Sequence, residues 1–264
     1  MSGDWLSFSP DWRMAVAFVV AMPSLILVLK IISTAQKRPA TGWNLFFWLS
    51  FLPSVESLRR VQRAGPAEKR GAFARFAIVV ATALLAYVAC AQIASATGAS
   101  GIALGWLGAP LFWLMTEVLG SLLQLLTLSS GWLLPLPHGN IFVSRHLADF
   151  WGRRWDVWMS DWFRQVIFLP LRRHPVRAMM IVFVISGIIH ELVLNLGLWV
   201  VTGHNRFGSM MAYFGIQAVG MLVDRWCLAG CPRLRRIFCW LVVVGPAPLI
   251  VNEAALRALC FWRE

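Results

Sequence analysis

One short apolar run, residues 186–194, reads SGIIHELVL and contains a histidine next to a glutamate. An imidazole can take up and release a proton near neutral pH, so His190 is the first candidate for general base catalysis. In a helix Glu191 would point elsewhere, about 100° around the axis, whereas Ser186 and Leu194 would share the face of His190. Leu194 stands where HExxH has its second histidine, so no metal is expected here.

A second unusual stretch, residues 150–173, reads FWGRRWDVWMSDWFRQVIFLPLRR and mixes aromatic rings with arginines. It favours an interfacial helix held by tryptophans and snorkelling arginines. It equally fits a site for an anionic, lipid-like substrate, in which arginines hold phosphates and rings flank an acyl chain. The candidate substrate-binding residues are Trp151, Trp155, Arg153, Arg154 and Arg164.

The whole composition shows what surrounds these residues. Of 264 residues 59% are hydrophobic and only 14% charged, against about a quarter charged in a soluble domain. Fifteen tryptophans suit a protein with long membrane interfaces, and the five cysteines form no strong ligand pattern. The sequence therefore predicts an all-α, polytopic integral membrane protein, with residues 1–264 forming a single membrane-embedded domain.

About six segments are long and apolar enough to cross a bilayer, which takes about 20 residues. They cover residues 14–32, 76–97, 104–128, 178–201, 209–224 and 237–262. Residues 43–55, 132–143 and 155–171 are too short, too proline-rich or too polar, and are expected to be re-entrant or interfacial.

The basic residues alternate along this topology. Twenty of the 24 lysines and arginines lie in the first, third and fifth connections. Because basic residues concentrate on the cytoplasmic side, these connections are expected in the cytoplasm and both termini outside, in a bacterial-type inner membrane or its equivalent. The net charge of +12 then reflects topology and contact with membrane lipids, and no nucleic acid partner is expected.

Other ionisable residues have ordinary alternatives to a catalytic role. Glu117, Asp224 and Glu253 fall in apolar segments and are expected either to line a chamber or to pair between helices. The remaining histidines are expected to be solvated in loops or at interfaces; they are His138, His146, His174 and His204.

FWGRRW at residues 150–155 and SGIIHE at residues 186–191, in that order, resemble the membrane-bound O-acyltransferase (MBOAT) superfamily, in particular its wax synthase branch. In that family an FW-x-RRW type sequence precedes a transmembrane helix carrying SG-x-x-HE. The close match spans about 45 residues. Many relatives have asparagine or histidine after the last tryptophan of the first motif, whereas this chain has Asp156.

The resemblance implies transfer of a fatty acyl group from acyl-CoA to a hydroxyl, most simply that of a long-chain alcohol in wax ester synthesis. It implies His190 as general base and Asp156 as the residue that orients the donor or the base, with acyl-CoA as co-substrate and no cofactor. A transporter or a non-catalytic membrane scaffold derived from the same family is the alternative. The oligomeric state stays open.

Overall fold

The computed structural model describes residues 12–262, which are almost entirely helical. The α-helices are α1 (Trp12–Gln36), α2 (Asn44–Leu49), α3 (Pro66–Thr97), α4 (Ile102–Leu128), α5 (Leu147–Asp149), α6 (Val157–Phe163), α7 (Pro175–His190), α8 (Leu196–Thr202), α9 (Ser209–Trp226), α10 (Pro232–Val244), α11 (Ala247–Ile250) and α12 (Glu253–Ala258). Two short strands, β1 (Gln62–Arg63) and β2 (Trp132–Leu133), pair antiparallel.

Within residues 12–262, four helices are long and apolar enough to cross a membrane: α1, α3, α4 and the continuous helix Pro175–Thr202, which contains α7 and α8. The fifth expected span corresponds to α9, which has 18 residues but is less apolar. The sixth is wrong as a single helix, because residues 237–262 are divided into α10, α11 and α12. Pro246 and Pro248 lie at this break, where proline removes backbone donors and disfavours a continuing helix.

The largest buried apolar cluster joins α1, α3, α4, α9, the continuous helix 175–202 and the chain after α10. Small residues let these elements approach closely, as is usual between membrane helices. A Cβ atom on Gly105 of α4 would lie 2.8 Å from the backbone Cα of Pro248. The broken C-terminal segment therefore packs directly against α4.

The first and third basic connections meet on one face of the molecule, here called the basic face (residues 37–65, 129–174 and 227–231). Gln165 accepts hydrogen bonds from the hydroxyls of Ser33 (2.8 Å) and Ser54 (2.9 Å), and Arg60 pairs with Asp161 (2.8 Å). The fifth connection adjoins the same face, because Arg236 in α10 donates to the carbonyl oxygen of Phe142.

Four basic residues of the expected first connection instead lie within the spanning helices α1 and α3: Lys30, Lys69, Arg70 and Arg75. Lys30 is buried in α1 and donates to the C-terminal carbonyls of α2, while Arg75 lies in α3 and pairs with Glu117. The expected pairing of Glu253 is present, with His204 (2.6 Å) and Arg206 (3.0 Å) at the end opposite the basic face. The termini themselves, residues 1–11 and 263–264, lie outside the described residues.

Candidate active site

His190 is the last residue of α7 and lies at a change in helix geometry. Pro175 begins the helix, and Gly203, with a φ of 77°, ends it after α8. Between α7 and α8 the residues Glu191–Asn195 form a single π-helical turn. Such turns occur frequently at functional sites because they reorient side chains within an otherwise regular helix.

The hydrogen bond made by the His190 ring indicates which of its two nitrogens carries the proton. Nδ1 lies 2.7 Å from the carbonyl oxygen of Ser186. Because a carbonyl oxygen can only accept, Nδ1–H is the donor, and the neutral ring keeps an unshared electron pair on Nε2. Ser186, one turn earlier on the same face, thus holds the imidazole in the tautomer that a general base requires.

An aromatic cage of Trp151, Phe183, Tyr213 and Phe214 adjoins His190. The imidazole packs against Phe214 with ring centroids 4.7 Å apart, and Phe214 in turn lies 6.0 Å from Trp151. Trp151 donates from Nε1 to Gln217 in α9 at 3.2 Å. The two sequence motifs are therefore joined in space through Trp151 and α9.

Glycine and a carboxylate bring α7 and α9 together at this point. A Cβ atom on Gly187 would lie 3.2 Å from the Cα of Met211 and closer still to its sulfur. Glu191 accepts backbone N–H bonds from Gly208 (2.9 Å) and Met210 (3.0 Å) at the start of α9, and Asn195 donates to its other oxygen. Glu191 is thus directed away from His190, as expected, and caps a neighbouring helix.

Asp156 occupies a backbone conformation that few residues adopt. Its φ of 38° and ψ of 71° are left-handed, and its carboxylate accepts the backbone N–H of Met159 (3.1 Å) as the N-cap of α6. Burial raises the pKa of this half-buried carboxyl, although the backbone hydrogen bond opposes the shift. Among the hydrogen bonds of residues 12–262, none joins Asp156 to His190.

The three arginines predicted to bind substrate differ in whether their side chains are available to a ligand. Arg154 is held by Asp149 (2.9 Å) and by the carbonyl oxygen of Asn140 (2.9 Å), so it supports the loop. Arg153 and Arg164 are exposed. Of the three arginines in the predicted set, these two are therefore free to meet a ligand at the basic face.

One histidine contradicts its expected environment. His138, expected to be solvated, is buried and packs against Trp155 with tilted rings whose centroids are 4.8 Å apart. Its Nδ1 lies 3.2 Å from Glu117. Glu117 also accepts a 2.6 Å hydrogen bond from Arg75. Sequence reasoning missed this cluster because its members are far apart along the chain, and only the cost of burying Glu117 indicated that partners must exist.

Two apolar grooves flank α9. The smaller, about 200 Å³, lies between α7 and α9 and is walled by Phe183 and Phe214 of the aromatic cage. The larger, about 500 Å³, lies between α9 and α10. His190 is in the wall of neither groove, but Phe214 separates the imidazole from the smaller one.

Comparison with known proteins shows which family this part of the chain resembles. Residues 134–215 match the model of the membrane bound O-acyl transferase family. The segment contains both motifs, His190, Asp156 and all four residues of the aromatic cage. In this segment, about a third of the chain, the protein is similar to the membrane-bound O-acyltransferases.

Curated proteins also resemble this chain. A probable long-chain-alcohol O-fatty-acyltransferase 9 of Arabidopsis thaliana is 34% identical over 86 residues, which cover 29% of this chain and 25% of that protein. The long-chain-alcohol O-fatty-acyltransferase of Simmondsia chinensis is 29% identical over 119 residues, covering 39% of this chain and 32% of that protein. This chain thus spans only about a quarter to a third of the length of these relatives.

Proposed function

We propose that this chain transfers a fatty acyl group from acyl-CoA to the hydroxyl of a long-chain alcohol. One observation carries the proposal: His190 presents an unprotonated Nε2 in the middle of a spanning helix, with its other nitrogen bound to the carbonyl oxygen of Ser186. The printed names of the relatives, long-chain-alcohol O-fatty-acyltransferases, supply the reaction class.

In the proposed step Nε2 of His190 accepts the proton of the alcohol as its oxygen attacks the thioester carbonyl carbon. The new carbon–oxygen bond forms, the carbon–sulfur bond breaks, and the CoA thiolate leaves with the proton returned by the imidazolium. The products are an ester and free CoA. A site inside the membrane excludes water that would otherwise hydrolyse the thioester.

The arginines and tryptophans have matching roles in this proposal. Arg153 and Arg164, exposed on the basic face, contact the phosphates of CoA, since guanidinium groups bind phosphate strongly. Trp151 and Trp155 flank the acyl chain on its way to His190. Asp156 holds the turn between the FWGRRW motif and α6, and so positions Trp155 rather than the imidazole.

The proposal also assigns an orientation. CoA is anionic and soluble in the cytoplasm, so the basic face is proposed to be cytoplasmic, in a bacterial-type inner membrane or an equivalent one. The joint position of the three basic connections on one face supports this assignment.

Acyl transfer from labelled acyl-CoA to a panel of long-chain alcohols, measured with purified protein in lipid nanodiscs, tests the function. Replacing the base in His190→Ala is expected to lower the rate by about 10²–10⁴, the usual contribution of general base catalysis. His174→Ala is the matched control, because His174 is exposed on the same helix and should leave the rate unchanged.

Equal rates for wild type and His190→Ala would exclude His190 as the base. If wild type forms no ester with any alcohol, although it binds a CoA thioether, the proposed acceptor is wrong. Absence of CoA binding as well would reject acyl transfer from CoA altogether.

A further inference from the structure

A polar cluster on the cytoplasm-facing half of α3 and α4 has no part in the proposed chemistry. Its centre is Glu117, which is bound by Arg75 (2.6 Å) and approached by His138 (3.2 Å). Trp113 and Ser121 lie one turn on either side of Glu117, on the same face of α4. The loop residue Pro137 packs against Gly120, so the loop covers this turn of α4.

Several buried donors in this cluster have no acceptor. Ser121 Oγ, Trp113 Nε1 and Arg75 Nε are each buried without a hydrogen-bond partner among the described residues. His138 Nδ1 lies 3.2 Å from a carboxylate oxygen of Glu117 and is therefore its partner rather than an unpaired donor. Buried polar groups are normally paired, because an unpaired one forgoes its interaction with water. Three such atoms, on Arg75 itself and one turn before and after Glu117, indicate a site built for a ligand.

The charges of the cluster restrict which kind of ligand can bind there. Arg75 and Glu117 neutralise each other, and a phosphate at Arg75 would meet the carboxylate that lies 2.6 Å from the guanidinium. The unpaired groups are mainly N–H and O–H donors, which require an oxygen acceptor. An uncharged carbonyl group, as in an amide or an ester, satisfies both conditions.

The cluster is connected to the candidate active site. His138 packs against Trp155, and the ring of Trp155 lies 6.2 Å from that of Trp151, which contacts Phe214 beside His190. This series of rings leads from the cluster toward the proposed base. A molecule with its reactive end at His190 and an uncharged carbonyl farther along would extend past these rings.

We propose that Arg75, Trp113, Ser121 and His138, arranged around Glu117, form a binding site for an uncharged carbonyl group of a substrate. This inference rests on the proposed function. Two kinds of molecule could supply such a carbonyl group. One is acyl-CoA, through the amides of its pantetheine arm, and the other is a lipid, through its ester carbonyl.

Ligand binding to the full chain in nanodiscs tests the site without turnover. S-hexadecyl-pantetheine keeps the amides but lacks the nucleotide phosphates, and methyl hexadecanoate supplies a lipid ester. Ser121→Ala and Trp113→Phe each remove one donor and are expected to weaken binding of one of these probes about three- to tenfold, as for loss of one neutral hydrogen bond. Ser129→Ala, an exposed serine at the end of the same helix, is the matched control.

Melting of the variants separates a ligand site from a structural one. Ser121→Ala removes only a hydroxyl that has no partner among residues 12–262, so it is expected to leave the apparent Tm equal to or above that of wild type. Trp113→Phe also loses ring packing against Phe142, so its Tm does not decide the question. A lowered Tm in Ser121→Ala would indicate a purely structural role and overturn the proposal.

The two probes identify the source. Weakened binding of S-hexadecyl-pantetheine assigns the site to the acyl donor, and weakened binding of methyl hexadecanoate assigns it to a lipid ester. Unchanged binding of both probes would reject the site. If the variants weaken a probe but wild type transfers no acyl group, the site stands and the proposed function fails.

Discussion

At the scale of the residue, Asp156 shows how backbone conformation can restrict residue type. Asparagine, aspartate and histidine are the residues most enriched in left-handed conformations, which the φ of 38° requires. In the family that this chain resembles, many members have asparagine or histidine at the position of Asp156. All three types therefore fit the turn, and the conformation explains the choice without a catalytic role for aspartate.

Asp156→Asn is expected to keep the fold. Its stability relative to wild type is expected to increase as the pH rises. Burial raises the pKa of Asp156, so the folded protein holds this proton more tightly than the unfolded chain. The stabilising contribution of the Asp156 carboxyl is complete below its pKa in the unfolded chain, about 3.9. This contribution declines as the pH rises through the pKa of the same group in the folded protein. The difference in apparent Tm between Asp156→Asn and wild type, measured from pH 4 to 8, should grow with pH.

Asp149 supplies a control because its pKa is shifted in the opposite direction from that of Asp156. Burial raises its pKa, but the hydrogen bonds from Arg154 and from the backbone of Arg145 outweigh this effect and leave the pKa lowered. Asp149→Asn should therefore lose stability at neutral pH and little at pH 3. Asp156→Ala, which loses both the cap and the tolerance for a left-handed backbone, should cost about 1–3 kcal/mol. A pH-independent difference for Asp156→Asn would contradict the argument.

At the scale of the element, the π turn after His190 directs two adjacent ionisable residues to different tasks. His190 faces Phe214, whereas Glu191 receives the first N–H groups of α9. The start of a helix has several N–H groups without partners and a partial positive charge, so a carboxylate stabilises it. The His-Glu pair thus combines a candidate base with the contact that holds its neighbouring helix.

Glu191→Ala is expected to destabilise the fold by about 1–3 kcal/mol, because buried N–H groups of Gly208 and Met210 lose their acceptor. The variant should lower the apparent Tm and, at low temperature, keep most of the acyl transfer rate. Glu68→Ala, an exposed glutamate in the first turn of α3, serves as control. Loss of activity without loss of stability would place Glu191 in the chemistry instead.

At the scale of the whole molecule, the three basic connections share one face although they are separated along the chain. Hydrogen bonds and ion pairs join them, including Arg60 with Asp161 and Arg236 with Phe142. The opposite end is joined by the network around Glu253. The molecule is thus polar at both ends, and its basic face adjoins the proposed entry of acyl-CoA.

Cysteine labelling tests this orientation. Cys227 and Cys231 are exposed at the basic face, whereas Cys90 and Cys239 are buried. In a Cys260→Ser background, a membrane-impermeant maleimide is expected to label the protein in inside-out vesicles and not in right-side-out cells. Labelling only in right-side-out cells would reverse the assigned topology. Labelling after detergent solubilisation confirms that the thiols can react.

The sequence by itself determined the class of the molecule, its spanning segments and its candidate base. Apolar length and basic alternation depend on local composition, and the bilayer responds to these properties directly. Four of the expected spans and the opposite directions of His190 and Glu191 follow from such local rules.

Only the tertiary structure decided which distant residues meet. The break at Pro246, the burial of His138 against Glu117 and the union of Trp151 with α9 depend on packing between segments far apart in sequence. Composition does not encode these partners, because a buried glutamate can be paired by any cation that the fold brings near. The fold selected Arg75 and His138, and in doing so it placed a second polar site beside the aromatic series that leads to His190.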